Sequence, residues 1–462
     1  MYRSAVKNGG LRCQICTGCG LCPGVVSTQR AGGLHVLAEE ALGDGAAFWE
    51  SRDGEGYAPG EEAPSGGCPG GEAKAPGAVC VNAAGAVPVC GLVGDTSPLV
   101  VADVGTTTIA MLLYGRDGSV ADRYVSVNPQ TVYGADVLSR IRAAEDSGVR
   151  EEMRGQVEGV LSRGLEKFRG KSAGGGALRM VLAANTTMTY LLMGWDVGEL
   201  GHAPFTASRL GACETEISGV PCFIFPGLSA FVGGDIMAGI HACRMARREE
   251  ITLLVDLGTN GEMVLGNRRR RIACATAAGP AFEGGANKGV WGADMVSLTA
   301  ALLRENIMDE TGLLVPEYFE KGIRIGNVHV TQEAVRGIQL AKAAIEAGIG
   351  ILLDKYGITA REVDRVLLAG GFGYYLNPQE AAEIGLLPAA LAGKTVAVGN
   401  TALRGGLLAG RELLAGGLPA GLAARLEKDA ADTEIVNLAL EAEFGHRYIR
   451  AMDFGRKDAD EG

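Results

Sequence analysis

The 462-residue chain has no excess of positive charge and no long apolar run, and no export leader is expected. Its 43 lysines and arginines are outnumbered by 54 aspartates and glutamates, for a net charge of −11. A phosphate backbone needs a basic footprint, so nucleic acid is not expected as a partner. The one basic run, Asn267-Arg268-Arg269-Arg270-Arg271, lies between two apolar strands and reads as an exposed hairpin. No segment reaches the ~20 apolar residues that span a bilayer, so no membrane partner is expected. The N-terminus has charges but no apolar stretch behind them, which is not the form of a secretory leader. With eleven cysteines and no leader, the reading is a reducing cytoplasm. Thiols there are more often metal ligands or buried core groups than disulfides.

What the chain does contain is one short phrase said twice. Val101-Ala102-Asp103-Val104-Gly105-Thr106-Thr107-Thr108 is echoed by Val255-Asp256-Leu257-Gly258-Thr259-Asn260-Gly261-Glu262, 153 residues later. Each phrase follows an apolar run that reads as a buried strand, and each strand delivers a carboxylate into a glycine turn capped by hydroxyl residues. Glycine lets backbone approach a polyphosphate, and the following N–H groups and hydroxyls donate to its oxygens. The aspartates repel phosphate, so their expected roles are to hold a cation or direct an attacking water. Two such turns at the heads of two halves suggest a nucleotide gripped by duplicated domains.

The length allows two to four domains. Residues 1–95 hold seven of the eleven cysteines and are dominated from about Gly43 to Gly85 by Gly, Ala, Pro and Glu, as in a Cys-rich domain with a linker. From Leu99 strands and helices alternate. Strands are expected at 99–104, 109–114, 180–184, 251–256, 262–265 and 365–369, and helices at 134–144, 150–168, 187–193 and 331–356. That alternation implies an α/β fold with mixed sheets covered by helices. The partition is 1–95, 96–248 and 249–462.

Asp103 to Thr108, Asp256 to Gly261 and the strand-terminal Gly370-Gly371-Phe372-Gly373, in that order, resemble the superfamily of sugar kinases, heat-shock ATPases and actin. The resemblance implies two ribonuclease-H-like halves closing over a nucleotide, with Gly370 to Gly373 lining the purine. A narrower resemblance is carried by the segment Asn128-Pro129-Gln130-Thr131-Val132-Tyr133-Gly134-Ala135-Asp136-Val137-Leu138-Ser139-Arg140-Ile141. Asn185-Thr186-Thr187-Met188, Val232-Gly233-Gly234-Asp235, Ala277-Ala278-Gly279-Pro280-Ala281-Phe282-Glu283-Gly284 and Gly399-Asn400-Thr401-Ala402 share it. These strings are similar to the reductive activators of corrinoid proteins, from about residue 98 to the C-terminus. That resemblance implies an ATPase module behind an iron–sulfur domain, which together push an electron onto a cobalt(II) corrinoid of a partner protein.

On this reading Asp103 and Asp256 hold Mg²⁺ through water, while Thr106, Thr107, Thr108, Gly105, Gly258, Thr259, Asn260 and Gly261 cradle the phosphates of ATP. Asp235 is either a helix cap or a metal-shell carboxylate, and Glu262 polarises a water or bonds a strand N–H. Gly279 belongs to one of the family-like strings, and Glu283 reaches a ribose hydroxyl or stays solvated. Asn185 reads as the N-cap of the helix behind it. Asp136 and Arg140 have the spacing of a surface ion pair, and Lys342 with Glu346 reads as surface or interface.

Cys13, Cys16, Cys19 and Cys22 place four thiols in ten residues and end in Cys-Pro, which suits a soft metal centre. Cys68, Cys80 and Cys90 are available as remote ligands. An iron–sulfur cluster is favoured over a Cys₄ zinc knot because the relatives carry one. The run lacks the spacing of the plant-type ferredoxins that the known activators resemble, so [4Fe–4S] is preferred to [2Fe–2S]. Cys213, Cys222, Cys243 and Cys274 sit among apolar neighbours and read as core. The leading expectation is an ATP-dependent reductive activator needing a corrinoid protein or similar metalloenzyme and an external electron donor, with a homodimer left open. A small-metabolite kinase and a nucleotide-switched zinc scaffold are the alternatives.

Overall fold

The computed structural model describes residues 97–115, 118–171, 177–279, 292–326, 328–373 and 376–455. The Cys-rich region falls outside these residues.

In chain order the first part contributes β1 (Leu99–Val104), β2 (Thr108–Tyr114), β3 (Val120–Val127), α1 (Val137–Ala144), α2 (Ser147–Arg169), β4 (Arg179–Ala184), α3 (Thr186–Met193), β5 (Cys213–Ile217), β6 (Val220–Ile224) and α4 (Gly234–Ala242). The second contributes β7 (Thr252–Leu257), β8 (Gly261–Gly266), β9 (Arg271–Thr276), α5 (Gly292–Arg304), β10 (Ile323–Ile325), β11 (Val328–Val330), α6 (Gln332–Tyr356), β12 (Arg365–Ala369), α7 (Pro378–Glu383) and β13 (Thr395–Gly399). The chain ends with α8 (Thr401–Leu414), α9 (Pro419–Ala431), β14 (Thr433–Ile435) and α10 (Ala442–Arg450).

Two mixed six-stranded sheets result, ordered β3-β2-β1-β4-β6-β5 and β13-β12-β7-β8-β9-β14. The duplication heard in the sequence is thus a duplication of topology. In each sheet a strand–hairpin–strand meander (β1-β2-β3, then β7-β8-β9) is extended on the side of its first strand by two parallel strands (β4 and β6, then β12 and β13). β1 and β7 are flanked on both sides, so their residues are buried almost throughout. That is why both read as continuous apolar runs rather than alternating ones.

The described residues divide into two compact units. One runs to Ala242 and also takes Thr401–Ala430; the other comprises Cys243–Asn400 and the residues from Ala431. The return of Thr401–Ala430 to the first unit crosses the linear partition. α8 lies flat on β1 and α4 because three of its residues have no side chain: a Cβ at Gly405 would overlap Ala238, one at Gly406 would meet Val101, and one at Gly410 Leu99. Each unit has its own core. Leu182, Val157 and Leu161 are among the fully buried residues of the first, and Val255, Met263 and Ile349 of the second.

Local signals set the element ends. Asp146 caps α2 by accepting from the N–H groups of Gly148 and Val149, and Thr331 caps α6 by accepting from Ala334 N–H. α6 stops at Gly357, which takes the left-handed conformation at φ 84°. The Arg-rich run is the β8–β9 hairpin, as its composition suggests, with Arg268 and Arg269 paired to Glu249 at the surface. Arg271 departs from that picture: it is buried, and its Nε donates to Thr433 Oγ1 at 3.2 Å. Among the described residues no helix is long and apolar enough to cross a membrane.

Candidate functional site

β1 ends in half-buried Asp103 and fully buried Val104 and passes straight into the first turn. Gly105 N–H donates to Thr108 O at 2.9 Å and closes it. Two asparagines frame the turn. Asn128, wholly buried, donates its Nδ2 to Gly105 O at 2.9 Å, and its backbone N–H donates to Thr107 O at 2.8 Å. Asn185 caps α3, as the sequence suggests, its Oδ1 accepting Met188 N–H at 2.9 Å; its Nδ2 also donates to Thr106 Oγ1 at 3.0 Å. Thr106 Oγ1 is the acceptor of that bond, so the hydroxyl keeps its own proton to donate.

The start of α4 packs against this frame. A Cβ at Gly233 would overlap Asn185 Cα, so only glycine permits the approach. Asp235 follows in the first turn of α4, where its Oδ1 accepts Ile236 N–H at 2.8 Å. Burial, reinforced by the negative charge of Asp103, pushes its carboxyl up to about 7, although that hydrogen bond favours the ionised form. Both carboxylates are half-buried, and two that act on each other in this way favour a divalent cation or a shared proton.

The second turn repeats the logic with different parts. Gly258 N–H donates to Asn260 O at 2.9 Å, Thr259 is buried, and Gly279 N–H donates to Thr259 O at 2.9 Å. The last bond brings the Ala277-Ala278-Gly279 string beside the turn. Asp256 and Glu262 are direct cross-strand partners in the β7–β8 register, and Glu262 is buried. Such partners have Cβ atoms about 5 Å apart, where like charges repel. Burial and the charge of Asp256 push the Cys243 thiol up to about 12.

The third glycine motif also arrives here. β12 runs parallel to β7 with Ala369 opposite Asp256, and Gly370 to Gly373 form one helical turn at its end. Gly370 has φ +84°, and a Cβ on it would stand 2.7 Å from both Asp256 Oδ1 and Leu257 O. Only glycine fits there.

Other assignments change. Gly261 gains a packing role: it begins β8, is buried and faces α6, where a Cβ would overlap Ile345 Cδ1. Asp136 caps α1, accepting from Ser139 N–H at 2.9 Å, while Arg140 is fully buried and donates Nε to Gly134 O at 3.0 Å, so the two are not a surface pair. Lys342 is not a surface residue either. It is wholly buried in α6, donates to Asp453 O at 2.6 Å, and lies 3.5 Å from Glu346. Cys222, Cys243 and Cys274 are buried free thiols, in keeping with a core role, and Cys213 is half-buried. Asn128, which frames the first turn, is not singled out by the sequence, although its place in the family-like string is a usable signal. Glu283 and the cysteines Cys13, Cys16, Cys19, Cys22, Cys68, Cys80 and Cys90 lie outside the described residues.

Comparison with known proteins bears on what these turns serve. Residues 99–248 match the family model described as the RACo middle region. Residues 250–289 and 285–461 match the C-terminal domain of RACo, the ASKHA domain. The corrinoid activation enzyme RamQ of Eubacterium limosum is 28% identical over 382 residues, which cover 66% of this chain and 63% of that protein. The Co(II) methylated amine-specific corrinoid protein reductase of Methanosarcina barkeri is 24% identical over 249 residues, covering 43% of this chain and 46% of that protein. The chain thus spans less than two thirds of the length of either curated relative. Among solved structures, a reductive activator for a corrinoid, iron–sulfur protein superposes with a TM-score of 0.70 at 28% identity, covering 79% of this chain and 67% of that one. With consecutive RACo models matched on both sides of residue 249 and this structural likeness, the chain belongs to the family of reductive activators of corrinoid proteins.

Proposed function

We propose that this protein is an ATP-dependent reductive activator that returns a corrinoid on a partner protein from cobalt(II) to cobalt(I). The observation that carries the reading is the repeated carboxylate-and-glycine turn, placed at the same point of two sheets of matching strand order. A turn that offers N–H groups and hydroxyls suits phosphate oxygens, and the carboxylate beside it suits the metal that accompanies them.

Within this reading Thr106 donates its hydroxyl to phosphate, its oxygen being held by Asn185. Asp103 and Asp235 fit Mg²⁺, since the negative charge of Asp103 already disfavours the ionised form of Asp235 and so calls for positive charge. Among the described residues no group of three or more His, Cys, Asp or Glu gathers as a metal site. Water and phosphate oxygens would complete the shell, as is usual for Mg²⁺. When bound, that ion would neutralise phosphate charge. In the other unit Asp256 and its cross-strand partner Glu262 would orient an attacking water, and Gly370 leaves a side-chain-free approach beside Asp256. An iron–sulfur centre on the N-terminal cysteines would supply the one-electron relay. For one electron each tenfold in equilibrium is ~59 mV, so an uphill gap of a few hundred millivolts explains why a nucleotide-driven step accompanies the transfer.

The test uses full-length protein purified without oxygen, a reductant, and a corrinoid protein held at cobalt(II). The visible spectrum should change to that of cobalt(I) when MgATP is added, and stay unchanged with a non-hydrolysable analogue. No change with MgATP, or the appearance of a phosphorylated small metabolite instead, removes the reading.

A further inference from the structure

Asn128 stands at the end of β3, 23 residues beyond Gly105, with no exposed surface. Burying a primary amide is costly unless its oxygen and nitrogen both find partners. Here Oδ1 accepts Gln130 N–H at 3.0 Å, while Nδ2 donates to Gly105 O at 2.9 Å and approaches Met188 Sδ at 3.3 Å. A peptide N–H only donates and a carbonyl oxygen only accepts, so these partners fix which way the amide faces. The Asn128 backbone N–H takes the next carbonyl but one, Thr107 O, at 2.8 Å. One residue thereby grips the turn on both sides of Thr106.

The consequence follows from peptide planarity. In a trans peptide the C=O and the N–H point in opposite directions. Holding Gly105 O towards Asn128 therefore aims the N–H of Thr106 away from it. Asn185 fixes the Thr106 hydroxyl oxygen independently.

We propose that Asn128 is the positioning residue of the first phosphate turn: by holding Gly105 O and Thr107 O it orients the Thr106 N–H towards the phosphate oxygens of a nucleoside triphosphate. The inference rests on the nucleotide-binding reading given above. Asn128 touches no phosphate itself. It acts through the turn, and a floppy turn would have to be ordered by the ligand at the expense of affinity.

Gln130 provides the control. It is equally buried in the same segment, yet its Nε2 donates to Met153 O at 2.9 Å, away from the turn. Asn128→Asp keeps the size of the side chain but sets an oxygen against Gly105 O. Calorimetric titration of the full chain with MgATP, alongside thermal melting, should show Asn128→Asp weakening the dissociation constant about tenfold or more. Gln130→Ala should lower the melting temperature while keeping affinity within about twofold of the parent. If Asn128→Asp does not fold, Asn128→Ala removes the donor without adding repulsion and carries the same expectation. The proposal is overturned if the folded Asn128 variant binds MgATP as the parent does, or if Gln130→Ala weakens binding equally. A parent protein that binds no MgATP at all overturns the proposed function instead.

Discussion

At the scale of single residues, charge rather than shape marks the site. Asp235 is the clearest case, because burial and Asp103 together make its ionised form unfavourable. Proteins keep such conflicts where a ligand resolves them. Asp235→Asn should therefore raise the melting temperature of metal-free protein, by about 2–4 °C for each kcal/mol of repulsion removed in a unit of this size. The same variant should lose the further rise that Mg²⁺ gives the parent. A lower melting point with the Mg²⁺ response intact would show that Asp235 is only a structural part of α4. Lys342 teaches the opposite lesson. Its spacing to Glu346 reads as a solvated pair, yet it is buried, because its partner Asp453 O lies 111 residues further on. No local pattern reports a contact that distant.

At the scale of elements, strands and caps were legible and glycines were ambiguous. The expected strands at 99–104 and 365–369 match β1 and β12 residue for residue, since unbroken apolar runs between turn residues leave little choice. The expected helix at 331–356 is α6 with its cap residue included. The short strands β5 and β14 carry too few apolar residues to announce themselves. Glycine signals only that a side chain is forbidden, not why. Gly261 and Gly370 lie in similar motifs, but one makes room for Ile345 and the other sits on Asp256 at positive φ. Gly261→Ala should cost about 1–3 kcal/mol of stability through overpacking and leave nucleotide affinity unchanged in urea-melt and binding experiments. Pairing it with Ile345→Val should recover part of that loss. Gly370→Ala should cost a comparable amount through backbone strain and also impair ATP turnover, because the added methyl meets the Asp256 carboxylate. Equal behaviour of the two variants would mean that Gly370 is a packing glycine as well.

At the scale of the whole molecule, the proposed function gives the duplicated units and the N-terminal cysteines separable contributions. Replacing Cys13, Cys16, Cys19 and Cys22 together by serine should strip iron from anaerobically purified protein and abolish corrinoid reduction. MgATP binding should survive, since the turns are built entirely from residues after Leu99. Retained iron would shift the ligand set to Cys68, Cys80 and Cys90 with other partners. Loss of ATP binding along with iron would mean that the two functions are not separable.

The sequence by itself determined the class of fold, the positions of the two turns and the family, because each depends on short contiguous strings whose physics is local. Apolar runs make strands, glycine permits turns, and a carboxylate before such a turn is chemically conspicuous. Tertiary structure alone decided that Gly370 lies on Asp256, that Asn128 holds Gly105, that the charge of Asp103 acts on Asp235, and that Thr401–Ala430 returns to the first unit. These are meetings between residues 23 to more than 100 positions apart. They are set by strand register and helix packing, whose energies are summed over many distant contacts and so leave no mark on any one stretch of sequence.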